Sequence, residues 1–257
     1  MRVTPKVWIG ITIWALYTVL VFAVQKAIGI PYDEWGDSAA NLWRGAVISL
    51  AAGAALMALM ATVLGWWRPA LFDDGRSTMR WAWAAPIAML VLLGVNLTAT
   101  DFGEIGTGFL VAAIVLGIGV GFSEEFMARG LLLVGLRSQL SERWVWILTS
   151  VLFGAFHLIN ILLGAPVTQT VIQVVTASLS GCIFYVTRRL TGSLFMAMVL
   201  HGAWDFSTFV QGHAPAFAPP ASLIVIVGIV AAVAAWRMTA PGRDDVPAPA
   251  AGRARDA

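Results

Sequence analysis

The chain has 257 residues, 59% of them apolar and only 12% charged, with a mean hydropathy of +0.83 and a formal net charge of +2. Soluble domains carry about 25% charged residues, so this composition excludes a disordered or nucleic-acid-binding chain and argues against a water-soluble fold. The single cysteine, Cys182, allows neither an internal disulfide nor a cysteine-rich metal site.

In chain order, eight apolar stretches stand between polar breaks: 7–27, 43–67, 81–96, 106–137, 144–163, 168–187, 194–211 and 221–236. Each is long enough, or nearly so, to cross a ~30 Å hydrocarbon layer as a helix, which satisfies its own backbone where water cannot. The expected fold is therefore all-α: a polytopic bundle of about eight transmembrane helices over residues 1–238, followed by a disordered cytoplasmic tail at 239–257. Trp8, Trp43, Trp66, Trp67, Trp81, Trp144 and Trp236 mark ends of the stretches, as amphipathic rings do at a membrane interface. The first stretch follows Arg2 and Lys6 and lacks a small-residue cleavage site, so it reads as a retained span. With both termini in the cytoplasm, all of the 16 basic residues except Lys26 and Arg44 fall on the cytoplasmic side, a strong positive-inside pattern. The tail from Thr239 is Pro, Ala, Arg and Asp without apolar periodicity. Lysines are few beside arginines, and Ala and Gly are abundant, which points to a GC-rich bacterial genome; the expected location of the multi-pass chain is the cytoplasmic membrane.

A few ionisable groups interrupt the apolar stretches. Glu124, Glu125 and Arg129 lie in the fourth, His157 in the fifth, and His201 and Asp205 in the seventh. A central Asp or Arg costs about 2.5–3.5 kcal/mol on insertion scales, so such residues are by default functional. Counting back from Arg137 puts Glu124 roughly 20 Å deep, and counting forward from Trp144 puts His157 at about the same depth. The count from Arg189 gives about 18 Å for His201, with Asp205 one turn further in. Glu125 and Arg129, four apart, read as a structural ion pair. Glu124 points about 100° away and has no basic residue four positions on. Taken singly, His157 could be bonded to a neighbouring carbonyl or to Asn160, and His201 and Asp205 could satisfy each other. His213 reads as an exposed loop histidine and Cys182 as packing.

A carboxylate facing two imidazoles and a second carboxylate suits water activation: the Glu takes a proton from water, which attacks a carbonyl. Imidazoles can donate to the oxyanion that develops. The same Glu124, His157 and His201 set could instead hold a divalent metal such as zinc, with water in the open position. No Gly-x-Ser-x-Gly element is present, which argues against a serine nucleophile.

Glu124-Glu125-x-x-x-Arg129, Phe153-x-x-x-His157 and His201-x-x-x-Asp205, with Thr191-Gly-Ser-Leu194 leading into the last, resemble the signature of the CAAX protease and bacteriocin-processing (CPBP, or Abi) family. The resemblance covers about 121–205, within an expected family core of about 106–211. It implies an eight-helix intramembrane endopeptidase in which Glu124 activates water and Glu125 pairs with Arg129. His157 would complete the water or metal site, and His201 and Asp205 would line the oxyanion side. The family often has Asn where this chain has Asp205, and an ionised Asp cannot donate to an oxyanion. Asp205 is therefore left three roles: a protonated donor, an orienter of His201, or a metal ligand. The expected partners are the lipid bilayer and membrane-embedded or membrane-tethered peptide substrates, with no nucleic acid; sequence leaves the oligomeric state open. Two competing readings are a non-catalytic immunity or scaffold protein and a proton or ion carrier.

Overall fold

The structure is a computed structural model and describes residues 1–220 and 222–240; most of the expected tail, from residue 241, lies outside the described residues. Among the described residues the regular secondary structure is helical, with only two isolated bridges, Phe72 to Ser193 and Thr100 to Pro215. The long helices are α1 (Val7–Ile28), α2 (Ala39–Leu64), α3 (Arg80–Thr98), α4 (Thr107–Arg137), α5 (Glu142–Leu162), α6 (Val167–Thr191), α7 (Phe195–His213) and α8 (Leu223–Met238). Each expected apolar stretch falls largely on one of these helices, the fifth being interrupted.

Six of them, α1 to α6, are long and apolar enough to span a membrane, and α8 is a shorter apolar helix. α7 falls short of that apolar standard because it carries His201, Asp205, Gln211 and His213. The chain is a multi-pass membrane protein. Its helices expose apolar side chains outward, among them Val91, Ile118, Val199 and Ile226, as a lipid solvent permits.

Local chemistry explains where helices stop. α1 ends at Gly29 and α6 at Gly192, both with positive φ (75° and 70°), the left-handed cap that glycine adopts without steric cost. α6 begins directly after Pro166. α5 is interrupted: its first part, Glu142–Phe156, is capped by His157, and a short turn, Ile159–Leu162, follows.

α4 occupies the centre. Residues Phe126 to Leu132 wind as a π-helix and are all buried. Such segments are rare and mark functional positions more often than ordinary helix does. α7 lies against α4 through facing glycines: a Cβ at Gly117 would sit 2.6 Å from the Gly202 carbonyl oxygen. Small residues at a membrane helix interface let backbones approach closely. On the other side α6 packs between α5 and α8, with Gly154 of α5 against Ser178.

Candidate active site

The bundle brings residues from α4, α5 and α7 around one buried carboxylate. Glu125 Oε1 accepts from Arg129 Nη1 at 2.8 Å and from His201 Nδ1 at 3.0 Å. The expected ion pair is present and fully buried on both sides. Sequence reasoning gave Glu125 to Arg129 alone, whereas in the structure the same oxygen also holds the ring of His201. The reason is the crossing of α4 and α7, which no local spacing reveals. Arg129 lies over the Phe153 ring, 4.2 Å from its centroid, which supplies a π face to nitrogens that Glu125 leaves unpaired.

His201 is 5% exposed. Its ring stacks on Phe184 of α6 at 4.4 Å and meets the edge of Phe153 at 5.5 Å. With Nδ1 bonded to Glu125, Nε2 faces Asp205 Oδ1 at 3.7 Å, too far for a hydrogen bond. The reading in which His201 and Asp205 merely satisfy each other is thereby corrected: His201 is held by Glu125. Asp205 keeps a quarter of its side chain accessible.

His157 caps the first part of α5. Its Nδ1 lies 3.0 Å from the Phe153 carbonyl; that carbonyl can only accept, so Nδ1 carries the hydrogen and Nε2 is left as an acceptor. Asn160 does not bond the ring and instead donates to Gln173 at 2.8 Å. Phe153 touches both histidines, at 5.3 Å from His157 and 5.5 Å from His201.

Glu124 is 7% exposed rather than solvated at an interface. Among the described residues no side chain or backbone group hydrogen-bonds it, so it is the carboxylate of the pair not already engaged. The preceding residue, Ser123, is bonded to Tyr17 of α1 at 2.9 Å.

The depth count for α7 needs correction. Arg189 belongs to α6, and a turn at Gly192 separates it from α7, which starts at Phe195. Counted along its own helix, His201 lies only about 9 Å in and Asp205 about 15 Å. Glu125 and His201 meet because α7 packs against α4, not because they share a residue count.

Among the described residues no group of three His, Cys, Asp or Glu side chains is placed to hold a metal ion. The Glu124, His157 and His201 set does not fit a three-ligand site among the described residues.

Several contributors left little trace in sequence. Tyr32, in the turn Tyr32–Glu34 after α1, accepts from Gln173 Nε2 at 2.7 Å, and Gln173 in turn accepts from Asn160. Burial raises the Tyr32 hydroxyl to about 12, with the Gln173 bond working against the rise and the charges of Asp205 and Glu124 adding to it. On the opposite, arginine-rich face, the Asp73 side chain is completely buried and binds Arg188 at 2.8 Å, Arg137 at 2.7 Å and Arg189 at 2.9 Å. Arg137 also binds Glu142 at 2.5 Å, which accepts from Tyr185 at 2.7 Å. Arg188 donates to the carbonyl of Arg129, tying this hub to the π segment of α4. His213, expected as an exposed loop residue, is half-buried, stacked on Phe109 at 3.6 Å and bonded to the Gly36 carbonyl at 2.7 Å.

Residues 106–207 match the family model described as type II CAAX prenyl endopeptidase Rce1-like. That segment contains Glu124, Glu125, Arg129, His157, His201 and Asp205. Over this segment the chain is similar to the type II CAAX prenyl endopeptidases. The match covers less than half of the chain and agrees with the CPBP resemblance of its motifs. No curated protein and no solved structure matches. Beyond the CAAX-protease-like segment, Tyr17, Tyr32 and Asp73 reach its residues from the N-terminal helices and loops.

Proposed function

We propose that the protein is an intramembrane endopeptidase that hydrolyses a peptide bond of a membrane-embedded or membrane-tethered substrate with water activated by Glu124. The observation that carries this reading is the division of labour between two adjacent carboxylates. Glu125 is engaged by Arg129 and His201, while Glu124 stands beside it without a hydrogen-bond partner among the described residues. A buried carboxylate free of partners can accept a proton, and a neighbour already paired cannot do so without breaking its bonds.

In this mechanism water lies between Glu124 and His157. His157 Nε2 accepts one hydrogen bond from the water and orients its lone pair. Glu124 takes the other proton as the oxygen attacks the scissile carbonyl, then passes it to the leaving amine. His201, fixed through Nδ1, presents Nε2 toward the carbonyl oxygen; with hydrogen on that atom it stabilises the oxyanion, where a dry site makes such a bond most effective. With Nδ1 donating to Glu125, hydrogen on Nε2 makes the ring an imidazolium, and Asp205, 3.7 Å from Nε2, supplies the second balancing charge. The substrate helix must unwind locally, because its carbonyls are otherwise bonded within the helix.

Comparative membrane proteomics of cells carrying wild-type or Glu124→Gln protein tests the reading and names the substrate. The variant is expected to remain folded in membranes while the cleaved products disappear. Normal cleavage by the variant would remove the water-activating role.

A further inference from the structure

On the face away from the arginine hub, a polar cavity of about 640 Å³ is lined by Tyr32, Asp33, Asp37, Thr208, Gly212 and His213, among others. At 100° per residue, Thr208 and Gly212 fall on the same stripe of α7 as His201 and Asp205. Thr208 is about 4.5 Å along the axis from Asp205, and Gly212 about 10 Å. Thr208 also donates to the Asp205 carbonyl at 2.9 Å. One helix face thus runs from the buried imidazole, past a carboxylate that is a quarter accessible, into the cavity wall. Tyr32 also lines the cavity. Its oxygen accepts from Gln173, which leaves its own hydrogen free to donate into the cavity. Asp33 and Asp37 are exposed at the rim, and His213 is tied back by Gly36 and Phe109.

We propose that this cavity is the aqueous mouth of the site, admitting water and a basic, extended segment of the substrate along the His201–Asp205 face of α7. Its role in hydrolysis rests on the peptidase reading above; its continuity with the site does not. A peptide bond deep in lipid needs both a water supply and a polar path for the unwound backbone, whose groups cannot be left unsatisfied in hydrocarbon. A cleft lined by one sign of charge concentrates ligands of the other sign.

The test is thiol labelling in membranes, in a Cys182→Ser background. Single cysteines at Asp205→Cys and Thr208→Cys are reacted with a cationic and an anionic methanethiosulfonate reagent. Both positions are expected to react, the cationic reagent about tenfold faster, and Asp33→Asn with Asp37→Asn should bring the two rates together. A Cβ at Gly212 meets nothing within 4 Å, so Gly212→Trp should fold, fill the mouth and slow labelling at position 205. Equal rates for the two reagents, no reaction at either position in folded protein, or labelling indifferent to Gly212→Trp would each overturn the proposal. Thr208→Cys carries the test should Asp205→Cys fail to fold. Labelling requires no turnover, so its failure alongside an inactive Glu124→Gln removes the mouth and leaves the peptidase. The reverse pairing removes the peptidase and leaves the mouth.

Discussion

Glu125 Oε1 serves two donors from two helices, and its burial makes it unforgiving. Arg129→Ala would leave that carboxylate in the interior with only His201, and breaking a buried pair by removing one partner costs roughly 3–5 kcal/mol. The expected outcome is a sharp fall in folded protein recovered from membranes, together with activity; unchanged yield and turnover would contradict the pairing role. A second variant separates structure from chemistry. Glu125→Gln keeps the oxygen that accepts from His201 but not the charge, so it should retain more folded protein than Arg129→Ala while lowering cleavage. Much of this chemistry was legible residue by residue. Charged groups in apolar surroundings are costly, and six such positions in an ordered pattern stood out. The double use of Glu125, the bond from Gln173 to Tyr32 and the bond from Tyr17 to Ser123 were not legible, because each depends on contacts between segments far apart in sequence.

At the scale of elements, α4 and α7 set the geometry of the site through a seam of glycine. Gly117 faces the Gly202 carbonyl one position from His201, and a methyl there would approach it to 2.6 Å. The neighbour is backbone and cannot rotate away. Gly117→Ala should therefore push the helices apart and displace His201 from Glu125, at an overpacking cost of about 1–3 kcal/mol. The measurement is paired: thermal midpoint in detergent and cleavage rate, with cleavage falling by more than the stability loss explains. An unaltered rate would show that the seam does not set the site. Helix positions were readable from apolar run length, and their ends from Gly29, Pro166 and Gly192. The π segment 126–132 and the break at His157 were not, since both lie inside runs whose composition suits continuous helix. Tertiary packing decides them.

At the scale of the whole molecule, the Asp73 hub closes the arginine-rich face. Burial alone would raise the Asp73 carboxyl above its ordinary 3.8, but Arg188 and Arg137, then Arg189, outweigh it and hold the group well below that value. A carboxylate held low in the folded state contributes stability in full above its ordinary value, and that contribution drains away as pH falls below it. The wild-type thermal midpoint in detergent should accordingly drop below about pH 4. Asp73→Asn should start lower by more than about 5 °C at neutral pH and lose less of its midpoint on acidification; parallel curves would rule out the hub as the acid-labile element. The positive-inside distribution anticipated where these arginines gather but not that a single buried aspartate from the α2–α3 connection gathers them. That aspartate lies well ahead of residue 106, yet it neutralises side chains from α4 and α6 and, through Arg188, steadies the backbone at Arg129. A fragment cut to the limits of family similarity would lose the counter-ion shared by three guanidinium groups, along with the phenol that meets Ser123. The smallest piece able to stand alone in a bilayer is consequently larger than the piece that carries the signature.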